Sequence, residues 1–455
     1  MFKKLKNLEG YYKDFITVVS GSALSFMIPL LMSPILSRIY KSSDYGVMAV
    51  FMTLVALFTS AVNSHYNHGI MLQKEKKDVW NLIFLSFFIN LGISLVLLGL
   101  ILVMSNNFVI FFTKSDTYTN YIYFIPLVVM LNGTSSSMQT WLNSNKEYKI
   151  ISTTRVVNAI SAVVFQIGYA IALPFLIDGF KPDFSGLIIS YLLSTLLTFL
   201  LIIYFYFKKN YFINFKFFSY KRMKELAIRE KKYMIYAFPN DFLLSFAANL
   251  PVMVISKYMT LTEIGNYRFS QNFLSMPVNI LSASFLDVYK QEAIDEIHKT
   301  GSCSQVFFKS LRILSLLGLI PLIAFLLFAP KIFTIVFGPQ WDLAGDFAQI
   351  MCIMYFFNLI SGTLSYVFII RGKLIEDLII HIYIILSSAT SLYLGYEIFN
   401  SSKLMVLLFT INYCFIYLYY LIRSYFLSLR PEEEEEDFFT EKSINLEDNH
   451  GVPAM

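Results

Sequence analysis

Val79 to Met104 read VWNLIFLSFFINLGISLVLLGLILVM, twenty-six residues without one Asp, Glu, Lys or Arg. As a helix this stretch rises about 39 Å, more than the ~30 Å hydrocarbon core of a bilayer. A helix is also the form in which such a segment satisfies its own backbone groups in lipid. Runs of the same kind recur on both sides of it: 15–37, 45–66, 120–142, 152–177, 184–207, 233–256, 264–286, 308–337, 344–369, 375–397 and 402–427. With 79–104 they make twelve expected transmembrane helices. The ninth, 308–337, carries Pro321 and Pro330 and is expected to bend or leave the membrane before its end.

Composition agrees. Of 455 residues 56% are hydrophobic and 15% charged, against about 25% charged in soluble proteins. That excludes a soluble enzyme, a nucleic-acid binder and a disordered chain. A transmembrane barrel would show segments of about 10 alternating residues, which the long runs are not. The expectation is an all-α polytopic membrane protein.

Lys and Arg set its orientation. With the N-terminus in the cytoplasm, the cytoplasmic segments hold 28 of the 36 basic residues and the opposite side 8. The bias holds loop by loop, so both termini are expected inside a plasma membrane. The basic start MFKKLKNLEGYYKD precedes a span too long for a signal-peptide core, which reads as a retained start-transfer helix. Residues 208–232 mix Lys and Arg with Phe and Tyr at helical spacing, as in a linker helix lying on an anionic leaflet. They separate an N-terminal lobe (1–207) from a C-terminal one (233–430), six spans each. From Pro431 the tail (431–455), with Glu432 to Glu436, reads as a solvated acidic extension. Cys303, Cys352 and Cys414 are scattered and read as packing residues.

The halves repeat. Leu36-Ser37-Arg38-Ile39 through Asp44 and Gly46 returns as Ile255-Ser256-Lys257-Tyr258 through Glu263 and Gly265, at one constant offset of 219 residues. Each copy lies at the outer turn between the first two spans of its half. Parallel repeats of this kind build transporters whose substrate is handled between the halves, so two six-helix lobes around a central cavity are expected. The turns also supply candidates for an outer gate. Arg38 and Asp44, with Lys257 and Glu263, either staple their own turns or pair across the lobes.

Ionisable residues inside spans usually face a bundle interior or a wet cavity. Arg268, Gln271, Asn272, Ser275 and Asn279 stand at i, i+3, i+4, i+7 and i+11, one face of the eighth span, which suits cavity lining or interhelical hydrogen bonding. In the fifth span Arg155 and Gln166 are nearly aligned, and Arg155 either faces the cavity or snorkels to the interface. In the seventh, Asp241, Ser245 and Asn249 run at i, i+4 and i+8. Asp241 reads as a proton or cation site, a partner for an Arg of another span, or an interfacial residue. His65 and His68 have no acidic or thiol neighbour in sequence and read as polar interface residues rather than a metal site. Pro29 and Pro34 are expected to bend the first span, with Ser side chains or neighbouring helices meeting the freed carbonyls.

At these residues the chain resembles a known family. PILSRIYKSSDYGVMAVF, Pro34 to Phe51, is similar to the first outer turn of bacterial lipid-linked oligosaccharide (O-antigen and capsule, Wzx-type) flippases of the multidrug/oligosaccharidyl-lipid/polysaccharide exporter superfamily. Asn145-Lys146 through Ser152, Arg155, Val156 and Gln166 resembles the start of the fifth span. Phe238-Pro239 through Asn249-Leu250-Pro251, with Gly265, Tyr267 and Pro277, resembles the seventh and eighth, and Phe337-Gly338-Pro339-Gln340-Trp341 with Ala344-Gly345 the turn between the ninth and tenth. The likeness runs in order along nearly the whole membrane portion. It departs at His65-Tyr66-Asn67, where the family often has an Arg-Tyr-Glu-like triplet, at Asn272, where it often has Arg, and in the acidic tail.

The resemblance implies flipping of an undecaprenyl-diphosphate-linked oligosaccharide across the bacterial inner membrane by alternating access. It implies no cofactor, a proton or sodium ion as candidate driver, and glycan polymerase and chain-length proteins as partners. Other readings are a lipid II flippase, which usually adds two spans, and a multidrug exporter, for which more carboxylates in the N-terminal lobe would be expected. A membrane polymerase or ligase is argued against. No nucleophile elbow, phosphate loop or metal cluster appears in the sequence, and the longest outer loop, about 105–119, carries little but Lys114 and Asp116.

Overall fold

In the computed structural model, residues 2–62, 66–73, 75–113, 119–176, 181–209, 217–231, 234–235 and 238–429 are described, and among them there are helices and turns only. The first half comprises α1 (Phe2–Ile39), α2 (Ser42–Val62), α3 (Tyr66–Leu72), α4 (Lys76–Thr113), α5 (Thr119–Ile122), α6 (Ile125–Ser144), α7 (Tyr148–Leu176) and α8 (Phe184–Lys208). After α9 (Tyr220–Arg229) come α10 (Phe238–Tyr258), α11 (Leu261–Thr300), α12 (Ser304–Phe337), α13 (Asp342–Leu364), α14 (Val367–Ile370), α15 (Leu374–Phe399) and α16 (Ser402–Leu429). The acidic tail, linker residues 210–216 and 232, and His65 lie outside the described residues.

Nine of the described helical stretches are long and apolar enough to cross a bilayer. α6, α10 and α11 are not among the nine, yet at 20, 21 and 40 residues they are long enough to span. Connectivity makes them the fourth, seventh and eighth of twelve crossings, and the loop contacts agree. At one end Gln340 and Trp341 meet Ser37, and Lys403 pairs with Asp346. At the other Arg222 meets Asp78, Lys209 meets Glu147, and Arg371 donates to the Gly301 and Leu427 carbonyls. Twelve alternating crossings sort the turns in this way. The chain is a multi-pass membrane protein, with a basic end and a charge-poor end.

Prolines do not interrupt the spans. α12 runs unbroken through Pro321 and Pro330 to Gly338, whose φ of 106° ends it. At 34 residues α12 is longer than the hydrocarbon core, and a specific contact compensates for one of its prolines. Pro330 has no N–H for the Leu326 carbonyl, and Gln349 Nε2 of α13 donates there instead at 2.6 Å. In α1 the carbonyl freed by Pro34 is that of Leu30, and Ser33 Oγ donates to it at 2.6 Å.

Helices α1 to α8 pack mainly on one another, as do α10 to α16, and the seam between the sets is α2 against α10 and α11. At the charge-poor end both sets share one apolar core, from Val47 and Phe51 to Phe333 and Trp341. Towards the basic end the cores are separate, one around Trp80, Trp141 and Tyr206 and another around Phe307, Phe368 and Tyr420. The lobes are therefore joined at one end and independent at the other.

The repeat recurs in hydrogen bonding. Asp44 Oδ2 accepts the Lys41 N–H at 2.8 Å, and Glu263 Oε2 accepts the Thr260 N–H at 2.9 Å, the same bond one offset later. Ser37 donates to the Pro34 carbonyl and Ser256 to that of Met253, three residues back in both copies.

Candidate functional site

The site begins with a stripe on α6. Asn132, Ser135, Ser136, Gln139, Thr140 and Asn143 stand at i, i+3, i+4, i+7, i+8 and i+11, so three turns of one face are polar. In lipid such a face would leave its amides and hydroxyls without partners. Here it faces α7 and α8 across a cavity of about 430 Å³ on the basic half of the N-terminal lobe. Tyr148, Ile151, Arg155 and Asn158 of α7 and Thr195 and Thr198 of α8 complete the wall. Among the described residues twelve line it, with one cation and no carboxylate.

Several of these groups are held in place. Asn158 Nδ2 donates to Thr198 Oγ1 at 2.9 Å, and Thr198 in turn to the Ser194 carbonyl. Arg155 Nη1 donates to Ser22 Oγ of α1 at 2.7 Å, and Ser152 Oγ to the Thr17 carbonyl at 2.8 Å. α1 comes this close because of Gly21, where a Cβ would sit 2.4 Å from that of Ser152. Asn67, from the departing triplet, accepts from Ser137 on α6 at 2.6 Å. The Gln139 and Asn143 side chains make no hydrogen bond among the described residues and are open to a ligand.

The sequence-derived candidates divide. Arg155 lines the cavity. Gln166, eleven residues and about 16 Å further along α7, does not, and its carbonyl accepts the Tyr40 hydroxyl at 2.8 Å. In the C-terminal lobe Arg268 Nη1 donates to Gln271 Oε1 at 2.7 Å, beside Tyr267 and the buried Tyr355. Asn272 and Asn279 are exposed and Ser275 half-buried, further towards the basic end. The eighth-span stripe thus divides into a packed pair and an open stretch. Asn249 is buried and donates to the Ser245 carbonyl of its own helix, while Ser245 reaches the Ala56 carbonyl across the seam at 3.4 Å. Asp241 is half-buried in the first turn of α10, where the helix dipole favours a carboxylate. The α6 stripe was not read from the sequence, although the same spacing test would have found it.

The charge-poor end closes by other means than the expected ion pairs. Asp44 and Glu263 direct carboxylate oxygens at the N-termini of their own helices, where they stabilise orphan amides. Arg38 is exposed, Lys257 lies 5.4 Å from the Tyr258 ring, and neither makes an ion pair among the described residues. What crosses the seam is backbone-directed. Trp341 Nε1 and Gln340 Nε2 donate to the Ser37 carbonyl at 3.0 and 2.5 Å, and Ser37 Oγ to the Phe337 carbonyl at 3.1 Å. Tyr45 packs edge-on against Trp341 and Phe269, with centroids 5.2 and 5.6 Å apart. Gly46 and Gly265 let α2 and α11 touch: a Cβ on either would fall within 2 Å of a carbonyl oxygen, that of Leu261 or Ser42.

Comparison with known proteins gives the same architecture. The lipid II flippase MurJ in an inward closed conformation superposes with a TM-score of 0.65 at 15% identity, over 91% of this chain and 90% of that one. A multidrug resistance MATE family transporter of the MOP superfamily scores 0.60 in an inward-facing conformation, at 12% identity over 90% and 95% of the two chains. An outward-facing structure of a transporter so described scores 0.50, at 12% identity over 91% and 94%. No sequence among the curated proteins matches. A family model described as polysaccharide biosynthesis protein matches residues 35–345. With most of its length inside that match, the chain belongs to the polysaccharide biosynthesis protein family and has the fold of the MOP superfamily.

Proposed function

We propose that the chain is a flippase that carries an undecaprenyl-diphosphate-linked oligosaccharide, an O-antigen or capsule repeat unit, from the cytoplasmic to the outer leaflet of a bacterial plasma membrane. The observation that carries this reading is the α6–α7–α8 cavity. Its wall of amides and hydroxyls matches the donor and acceptor pattern of sugars, and Arg155 is the one fixed charge offered to an anionic group. A multidrug cation exporter would be expected to offer a carboxylate there, and the twelve lining residues include none. The family's description, polysaccharide biosynthesis protein, favours a glycan cargo over lipid II.

On this reading the basic end is cytoplasmic, as the loop charges favour. The glycan enters between the lobes where their cores are separate, the prenyl chain stays in lipid, and the diphosphate is drawn by Arg155 and then by Arg268. Asn272, Ser275 and Asn279 provide further donors on the opposite lobe. Rocking about the seam then exposes the glycan at the other end. Asp241 and its half-buried carboxylate are the candidate for the coupling proton or sodium ion.

The test is surface polysaccharide in a host that depends on this chain. Arg155→Ala lowers it while the protein remains in the membrane, and Arg155→Lys is milder. Holding a guanidinium inside a span, as at Arg268, costs at least ~2.5 kcal/mol, so an Arg retained there is expected to serve the cargo. Full surface polysaccharide in an Arg155→Ala/Arg268→Ala double variant contradicts the assignment.

A further inference from the structure

The linker helix α9 has two faces, and the protein uses only one. Met223 and Leu226 are buried against the start of α4. On the flank, Arg222 donates through Nε and Nη2 to both oxygens of Asp78 at 2.8 Å, and Arg229 approaches the same carboxylate at 3.6 Å. Glu230 is buried and accepts from Arg229 and Gln73, each at 3.1 Å. Asn81 fixes the preceding turn, donating to the Phe217 carbonyl and accepting the Ser219 N–H. These bonds clamp α9 to the N-terminal lobe and leave both guanidiniums committed.

The opposite face carries Tyr220, Lys221, Lys224 and Ile228, at i, i+1, i+4 and i+8. All are exposed, Tyr220 to 75% and Ile228 to 59%. The lysines make no ion pair among the described residues. Lys76 and Lys77, exposed in the first turn of α4, stand next to Asp78. The place of this patch follows from Phe218. Its ring lies 5.7 Å from that of Phe84 and 6.1 Å from that of Phe88. Phe88 is 46% exposed, twelve residues inside α4 and within the span. Phe218 therefore packs on the flank of a membrane-crossing helix, and the lysines follow one turn later.

We propose that this face binds anionic phospholipid headgroups on the basic side of the membrane, with Phe218 and Tyr220 inserted and Lys76, Lys77, Lys221 and Lys224 on the phosphates. Charge complementarity favours that occupant, since four lysines outnumber the carboxylates beside them: Asp78 is neutralised from within, Glu225 is paired with Arg222 at 3.0 Å, and Glu75 is the one exposed carboxylate beside Lys76. The N-terminal lobe is then pinned to the leaflet while the other lobe rocks.

The test uses the purified full chain, titrated with equal amounts of phosphatidylglycerol and phosphatidylcholine and read by native mass spectrometry. The wild type retains phosphatidylglycerol in preference. Lys221→Gln/Lys224→Gln reduces that preference by about fivefold for each lysine. Lys221→Arg/Lys224→Arg keeps it, as does Lys181→Gln/Lys331→Gln at the charge-poor end. Equal retention of the two lipids by the wild type, or an unchanged preference in the glutamine variant, overturns the proposal. So does loss of preference in the arginine variant, or displacement of the lipid by a soluble polyglutamate peptide at equal charge.

Discussion

Gly46 and Gly265 decide how closely the two lobes meet. Each faces the backbone of the other lobe, so any side chain must push α2 and α11 apart, and overpacking of this kind costs about 1–3 kcal/mol. Gly46→Val or Gly265→Val should bias the molecule towards an open charge-poor end. A cysteine placed at the buried Ser37 would then label with an impermeant maleimide at least about fivefold faster. Gly92→Val, at a position with nothing within 4 Å, should leave labelling unchanged. Equal labelling in all three would mean that the glycines are not the contact that limits closure. A second residue-scale expectation concerns Cys303, outside the spans, where burial pushes the thiol up to about 11. It stays protonated, and so unreactive, through neutral pH and reacts only as pH approaches that value. Rapid labelling of native Cys303 by a polar thiol reagent at pH 8 would contradict this.

At the scale of elements, the partnership between Pro330 and Gln349 can be isolated. Gln349→Leu leaves the Leu326 carbonyl without its donor and should destabilise the protein by about 1–3 kcal/mol. Adding Pro330→Ala restores an N–H that can reach that carbonyl, so the double variant should recover most of the loss in thermal melts. A double variant as unstable as the single one would show that the carbonyl was never the problem. The α6 stripe carries a parallel prediction for transport. Ser135→Leu/Gln139→Leu should lower glycan export about tenfold for each hydrogen-bonding group the cargo loses, with expression unchanged.

The elements also explain what the sequence could be read for. Spans were legible because lipid demands long apolar runs, and the charge bias and the 219-residue repeat were visible as letters. The α6 stripe escaped because Ser, Thr, Asn and Gln carry no charge to draw attention, whereas Arg268 drew attention to α11. Gln166 lies beyond the α6–α7–α8 cavity: alignment along a helix says nothing about how far the neighbouring wall extends. Asp44 and Glu263 were assigned partners by charge alone, while the orphan amides of their own helix N-termini were nearer.

For the whole molecule, the placement of the cores is the informative fact. A shared core at the charge-poor end and separate cores at the basic end describe two helix sets joined on one side, with the polar cavity on the other. If the basic end is cytoplasmic, reporter fusions at residues 116, 220 and 435 read outside, inside and inside. An inside signal at 116 with an outside one at 220 would invert the molecule and reverse the direction of transport.

The central claim is that this cavity accepts a lipid-linked glycan, and translocation in a defined membrane tests it most directly. The purified chain is reconstituted into vesicles holding a fluorescent polyprenyl-diphosphate oligosaccharide, and its transfer between leaflets is followed by quenching from outside. The account predicts translocation that Arg155→Ala/Gln139→Leu slows at least about tenfold, while vesicles without protein show none. Transfer at the same rate in wild type and variant, or none in the wild type whatever ion gradient is imposed, would contradict it.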